Sequence, residues 1–108
     1  MPPLSQPPVK DEHATTVKHF SASPPAGAVP IVGSGSSVNR NYYYIENVGL
    51  NAGFFWWDQQ RNYGQALVIA PGEWREWASK CPIEATWFSS DLGTVFAVIE
   101  GMRIPSNG

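Results

Sequence analysis

Between residues 41 and 58 the chain reads NYYYIENVGLNAGFFWWD, which sets Tyr42, Tyr43, Tyr44, Phe54, Phe55, Trp56 and Trp57 into one short stretch. Two ring-rich runs are separated by the loop formers of NVGLNAG. Aromatic and β-branched runs of this length, bounded by Gly and Asn, are the pattern of β-strands. The same signal recurs downstream, predicting strands near 41–47, 53–58, 66–70, 73–78, 83–89 and 94–100, with a further first strand around 28–32. No window sustains the 3.6-residue periodicity of an amphipathic helix.

The turns agree with this. In APGE, residues 70–73, Pro71 fixes φ and Gly72 supplies the positive φ that a type II turn requires. SSDLGT, with Asp91 and Gly93, is expected to close a last hairpin, and ALVIAPGEWREW reads as another. Short strands joined by polar turns predict an all-β fold, an antiparallel jelly-roll-like β-sandwich over residues 31–102, followed by a tail at 103–108.

Residues 1–30 differ in kind. Seven of the ten prolines lie there, and Phe20 is its only aromatic residue. Proline removes a backbone donor and holds φ, so the segment is expected to be an extended arm rather than a helix or an interior strand. Val9, Val17 and Phe20 are the apolar anchors with which such an arm would grip a neighbour.

Side-chain parity shapes the functional expectation. Neighbouring strand residues point to opposite faces, so Phe54 and Trp56 go one way and Phe55 and Trp57 the other. In TVFAVIE, Val95, Ala97 and Ile99 oppose Phe96 and Val98. Ile83, Ala85 and Trp87 likewise oppose Phe88. Strands apolar on both sides are expected where both sheet faces are covered. A domain of about 75 residues buries only about 60% of its unfolded surface. Its single core shelters one face of each sheet, and the other needs a partner. Trp74 and Trp77 have unlike parity, giving one core tryptophan and one at the rim beside Glu73, Arg75 and Glu76.

Other functions find little material. The net charge is −2 and the seven Lys and Arg residues are scattered singly, which argues against nucleic acid as a partner. No apolar run approaches a membrane span, and MPPLSQPPVKDEH lacks the charged-then-apolar layout of a signal peptide. Both are the reasons to expect a protein made in a cytoplasm. Cys81 is the only cysteine, so it forms no intrachain disulfide, and it reads as a small apolar residue. His13 and His19 both fall in the arm, away from any serine or cysteine nucleophile of the sandwich. With Asp11 and Glu12 they make a poor metal set. No phosphate loop or dinucleotide fingerprint is present. The expectation is a chain without catalytic residues, metal or cofactor. Asp58, Glu73, Glu76 and Glu84 among tryptophans leave one alternative, a sugar-binding module in which Trp56 or Trp74 stacks on a pyranose ring.

The order NRNYYYIENVG, an aromatic strand, ALVIAPGEW and IEATWFSSDLGTVFAVIEG resembles the small β-sandwich proteins of tailed bacteriophage particles. Arg40, Ile45, Asn47, Pro71, Gly72, Glu73 and Glu100 stand at the matching places, over residues 38–101. The paired tryptophans and the proline-rich front depart from that pattern. The resemblance implies a virion structural protein on the capsid exterior. The nearest type is a decoration (cement or staple) protein that forms a homo-oligomer and clamps the major capsid protein. Relatives at the head–tail junction or on fibres are the alternative. The expected contact residues are Val9, Val17 and Phe20 in the arm, with Phe55, Trp57, Trp74 and Trp77 from the sandwich. Asn47 is expected to fix a loop, and Arg40 to form an exposed ion pair of small worth.

Overall fold

The structure, a computed structural model, describes residues 16–57 and 66–103. Among them are eight strands and no helix: β1 (Thr16–Ala22), β2 (Ile31–Ser34), β3 (Arg40–Asn47), β4 (Gly53–Trp57), β5 (Leu67–Ile69), β6 (Trp74–Trp77), β7 (Thr86–Ser89) and β8 (Phe96–Met102). They form two four-stranded sheets. The first has the order β1-β8-β3-β6, the second β2-β7-β4-β5, and every pairing is antiparallel.

The alternation read from the sequence decides which rings go inside. In β3, Tyr43, Ile45 and Asn47 are buried while Tyr42, Tyr44 and Glu46 are only half-covered. In β8, Phe96, Val98 and Glu100 point inward. Phe55 of β4 and Phe88 of β7 are register partners on the facing sheet. With Ala22 and Ile69 the apolar members of this set form one core, flanked by Phe20, Ile31, Trp57, Trp77 and Cys81. Phe88 and Phe96 meet across the two sheets with ring centroids 4.8 Å apart. Gly33 of β2 lies against the Phe88 ring of neighbouring strand β7, where a Cβ would stand only 2.1 Å from that ring.

Two sequence expectations change. The arm predicted over 1–30 is in part a strand: residues 16–22 pair along their whole length with β8, from Thr16 opposite Met102 to Ala22 opposite Phe96. The stretch from Val9 to Ser23 holds no proline, so the backbone donors of β1 are available to a ladder, and β1 occupies an edge, where proline-rich neighbours are tolerated. Val9 lies outside the described residues.

The turns also do a different job. ALVIAPGEWREW joins β5 of one sheet to β6 of the other, and SSDLGT joins β7 to β8 across the sandwich. Both are corners between sheets rather than hairpins, and among the described strands only β4 and β5 are at once consecutive and paired. The turn chemistry itself is as read. Gly72 has φ 87° and Glu73 N–H closes on Ala70 O at 2.9 Å, while the Glu73 carboxylate accepts the Ala70 N–H at 2.8 Å. The sequence holds turn residues but not the identity of the strand beyond them.

Candidate functional site

A register shift between Arg40 and Tyr42 begins the first of two polar or aromatic groupings. Strict alternation from Tyr43 would send Arg40 outward. One extra residue turns it inward, the usual effect of a β-bulge. Its guanidinium lies in the sandwich between the rings of Tyr43 (5.0 Å) and Trp57 (5.7 Å). Nε donates to Glu100 Oε2 at 2.8 Å, Nη1 to the carbonyls of Pro82 (2.9 Å) and Glu84 (2.8 Å), and Nη2 to Gly35 O at 2.5 Å.

The expected exposed ion pair is therefore a buried one: Arg40 and Glu100 side chains are 0% and 3% exposed. Four of the five guanidinium donors are already engaged, so the group ties three segments together instead of waiting for an anion. Lys18 reaches the other Glu100 oxygen at 3.8 Å from the surface. The neighbouring Cys81 thiol is pushed up to about 11 by burial, the Arg40 charge opposing in part, so it stays a neutral thiol.

Asn47 fixes a loop, as expected. Fully buried, it donates from Nδ2 to Asn51 O and Ile69 O, each at 2.9 Å. Its Oδ1 accepts from Gly49 N–H at 3.0 Å and Thr94 Oγ1–H at 2.8 Å. All four side-chain valences are used, which locks the β3–β4 corner to β5 and to the β7–β8 corner.

The second grouping is the outward face of the first sheet. The register places Val17, His19 and Ser21 of β1, Ala97, Ile99 and Gly101 of β8, Tyr42, Tyr44 and Glu46 of β3, and Trp74 and Glu76 of β6 on one side. Trp74 is 54% and Val17 57% exposed. Trp74 stacks on Tyr44, centroids 5.9 Å apart and 21° between planes. Tyr42 donates to Glu76 Oε2 at 2.7 Å and Tyr44 to Glu46 Oε1 at 2.8 Å. Hydrogen bonding to a carboxylate favours the neutral phenol, so Tyr42 is pushed up to about 12, first by that bond to Glu76 and then by partial burial. Tyr44 is raised by the equivalent bond to Glu46. This face is an aromatic shelf edged by two carboxylates.

The expected contact residues divide. Trp74 lies on the shelf in edge strand β6, and Val17 on the opposite edge of the same sheet, in β1. Phe20 is half-buried against the core, with the Lys18 ammonium 5.7 Å from its ring. Phe55 is fully buried, and Trp57 and Trp77 pack on it and on Tyr43. Trp57 meets Tyr43 edge-on at 5.0 Å and Trp77 at 5.3 Å, and Trp77 meets Phe55 at 5.8 Å. Trp77 lies inward as the register partner of Tyr43, and Phe55 and Trp57 share the inward side of β4 on the facing sheet. Trp56, proposed as a sugar platform, is 3% exposed and offers no free face. Parity alone also marks Tyr42 and Tyr44 as outward once Tyr43 is inward, a signal in the sequence that the contact set above leaves out.

Among the described residues no three His, Cys, Asp or Glu side chains converge as a metal site. No family model matches the chain, and no curated protein does. The solved structures that this chain matches include these two. A transcriptional regulator of the HTH_3 family from Vibrio cholerae superposes with a TM-score of 0.57 at 14% identity, over 83% of this chain and 44% of the regulator. This chain thus spans less than half of that protein. A chain from the disulfide-linked pili of Bacillus endospore appendages gives a TM-score of 0.48 at 11% identity, over 91% of this chain and 97% of its own. At 14% identity the likeness to the regulator is one of fold alone.

Proposed function

We propose that the chain is a non-catalytic structural protein of a virion, a jelly-roll sandwich that associates with copies of itself and seats on the outside of a capsid shell. The strand order supports the jelly roll. Strands 1, 8, 3 and 6 in one sheet face strands 2, 7, 4 and 5 in the other, an arrangement of two interleaved Greek keys that capsid proteins and lectins share.

The observation that carries the functional reading is the outward face of the first sheet. Val17, Ile99, Tyr42, Tyr44 and Trp74 lie across all four strands and stay wholly or partly in water in the single chain. Each large ring left wet forgoes a few kcal/mol, on the order of 2, relative to burial. Covering such a face by another chain recovers that energy, and rings beside polar tips are the usual anchors of protein interfaces. On a shell holding many copies, weak contacts per copy add through effective concentration.

Bare capsids offer the test. Purified chain added to them should co-sediment and raise the temperature of shell rupture, and substituting Trp74 by Glu should abolish both effects. Absence of co-sedimentation by the unaltered chain removes the capsid role.

One observation favours a second reading: the exposed Trp74 ring, backed by Tyr44 and neighboured by Glu46 and Glu76, is also a surface on which a sugar could stack. A glycan array decides it, since saturable binding lost on Trp74→Ala would replace the capsid reading.

A further inference from the structure

On the outward face of the first sheet the register sets His19 of β1, Ile99 of β8, Tyr44 of β3 and Glu76 of β6 in one row across all four strands. His19 and Glu76, at the two ends of the row, are both exposed. The Glu76 carboxylate is held on this face, since its Oε2 accepts the Tyr42 hydroxyl at 2.7 Å. His19 points the same way, because Phe20 and Ala22 on the other side of β1 pack into and against the core. Three strand spacings separate the edges, so the imidazole and the carboxylate stand about 14 Å apart and do not meet within one chain.

Between those edges the face is uneven. Its rings all stand on the half built by β3 and β6, where Tyr42 precedes the Tyr44–Trp74 stack. The half built by β1 and β8 carries no outward ring: its residues are Val17, His19 and Ser21, then Ala97, Ile99 and Gly101. One half is therefore high and ends in a carboxylate, and the other is low and ends in an imidazole donor.

Two copies stacked on this face have two symmetric arrangements. A two-fold axis running across the strands lays β1 on β1 and β6 on β6. Rings then press on rings, carboxylates gather at one edge, and the low halves face each other over a gap. A two-fold axis running along the strands, midway between β8 and β3, lays β1 over the β6 of the other copy and β8 over its β3. The high half then seats on the low half, and each imidazole stands opposite a carboxylate. Sheets packed face to face lie about 10 Å apart, a gap that a histidine and a glutamate bridge from opposite sides.

We infer that two copies of this chain pair through the shelf about a two-fold axis running along the strands between β8 and β3. His19 of each copy donates to the Glu76 carboxylate of the other, and the Tyr44–Trp74 stack of each rests on Ile99 and its neighbours. The inference rests on the shelf being the surface through which copies associate, as proposed above.

Crosslinking decides the arrangement. His19→Cys and Glu76→Cys are each made together with Cys81→Ala, which removes the chain's only other thiol, and are treated with a short bismaleimide. Covalent dimer is expected when the two variants are mixed and not from either one alone, because position 19 faces only position 76. Dimer from a single variant assigns the crosswise axis and overturns the inference. Charge exchange gives a second readout, in sedimentation equilibrium. His19→Glu sets carboxylate against carboxylate twice per dimer and should weaken association by about tenfold or more. Adding Glu76→Lys to that variant should restore it, and failure to restore it counts against the contact. Association of the unaltered chain without crosslinking in the mixture overturns this two-fold and leaves the shelf reading standing. An unaltered chain that never associates removes both.

Discussion

Arg40 and Glu100 lie sixty positions apart in sequence and meet inside the sandwich, Nε to Oε2 at 2.8 Å, with both side chains out of water. Removing one partner of a buried pair leaves the other charge uncompensated, at a cost of about 3–5 kcal/mol. Glu100→Gln is expected at the lower end of that range. Arg40→Met belongs at the upper end, because the carbonyls of Gly35, Pro82 and Glu84 lose their donor as well. The double variant Arg40→Met with Glu100→Leu should recover part of the loss. Urea unfolding of the four proteins measures all three.

Asn47 shows how fully the β3–β4 corner depends on one amide. Asn47→Ala leaves two carbonyls, an N–H and a hydroxyl unmet in a buried site, for an expected loss of about 3 kcal/mol. Asn47→Asp should be worse. A carboxylate keeps the two acceptor bonds but faces the Asn51 and Ile69 carbonyls without a donor. The same unfolding titration ranks them, and an aspartate more stable than the alanine would refute the hydrogen-bond assignment.

Tyr42 should titrate near the value to which Glu76 pushes it, about 12. Because the folded value lies above the unfolded one of about 10, the contribution of this phenol to stability is complete below pH of about 10 and is lost as pH rises toward about 12. Glu76→Gln removes the main cause, so the phenolate absorbance should rise at lower pH. An unchanged titration would show that the Tyr42–Glu76 bond does not persist.

Cys81 is expected to alkylate slowly at neutral pH and more rapidly only as the solution approaches about pH 11, since burial holds back the thiolate. Iodoacetamide modification followed by mass spectrometry checks this. Rapid labelling at neutral pH would contradict the burial of this thiol beside Arg40.

Phe55 and Trp77 inside the sandwich and Trp74 on the shelf should respond differently to truncation. Truncating Phe55 or Trp77 to Ala is expected to cost about 3–5 kcal/mol, as for other large core rings. Trp74→Ala should stay within about 1 kcal/mol, because more than half of that side chain is already in water.

Strand positions, the alternation of side chains and turn chemistry were legible because each depends on residues adjacent in sequence. The Pro71-Gly72 turn and the opposition of Phe55 and Trp57 to Phe54 and Trp56 follow from local rules, but which side meets the core does not, and Phe55, Trp57 and Trp77, expected at an interface, lie in or against it. β1 was not legible, because the prolines at both ends of residues 1–30 hide a proline-free stretch long enough to pair. The corner role of ALVIAPGEWREW and SSDLGT was not, because a turn motif fixes a reversal and not the sheet that receives it. The Arg40–Glu100 pair was missed for a related reason: a single extra residue in β3 turns Arg40 inward, and nothing local to Arg40 announces that bulge.

Everything functional turns on the outward face of the first sheet being covered by another chain. Sedimentation equilibrium across a range of concentrations tests this most directly, comparing the unaltered chain with Trp74→Glu and Tyr44→Glu. Self-association by the unaltered chain is expected, dissolving to the 11.9 kDa monomer in both variants while their circular dichroism stays that of the folded sandwich. An unaltered chain that remains monomeric at every concentration, or variants that associate as well as it does, would contradict the account.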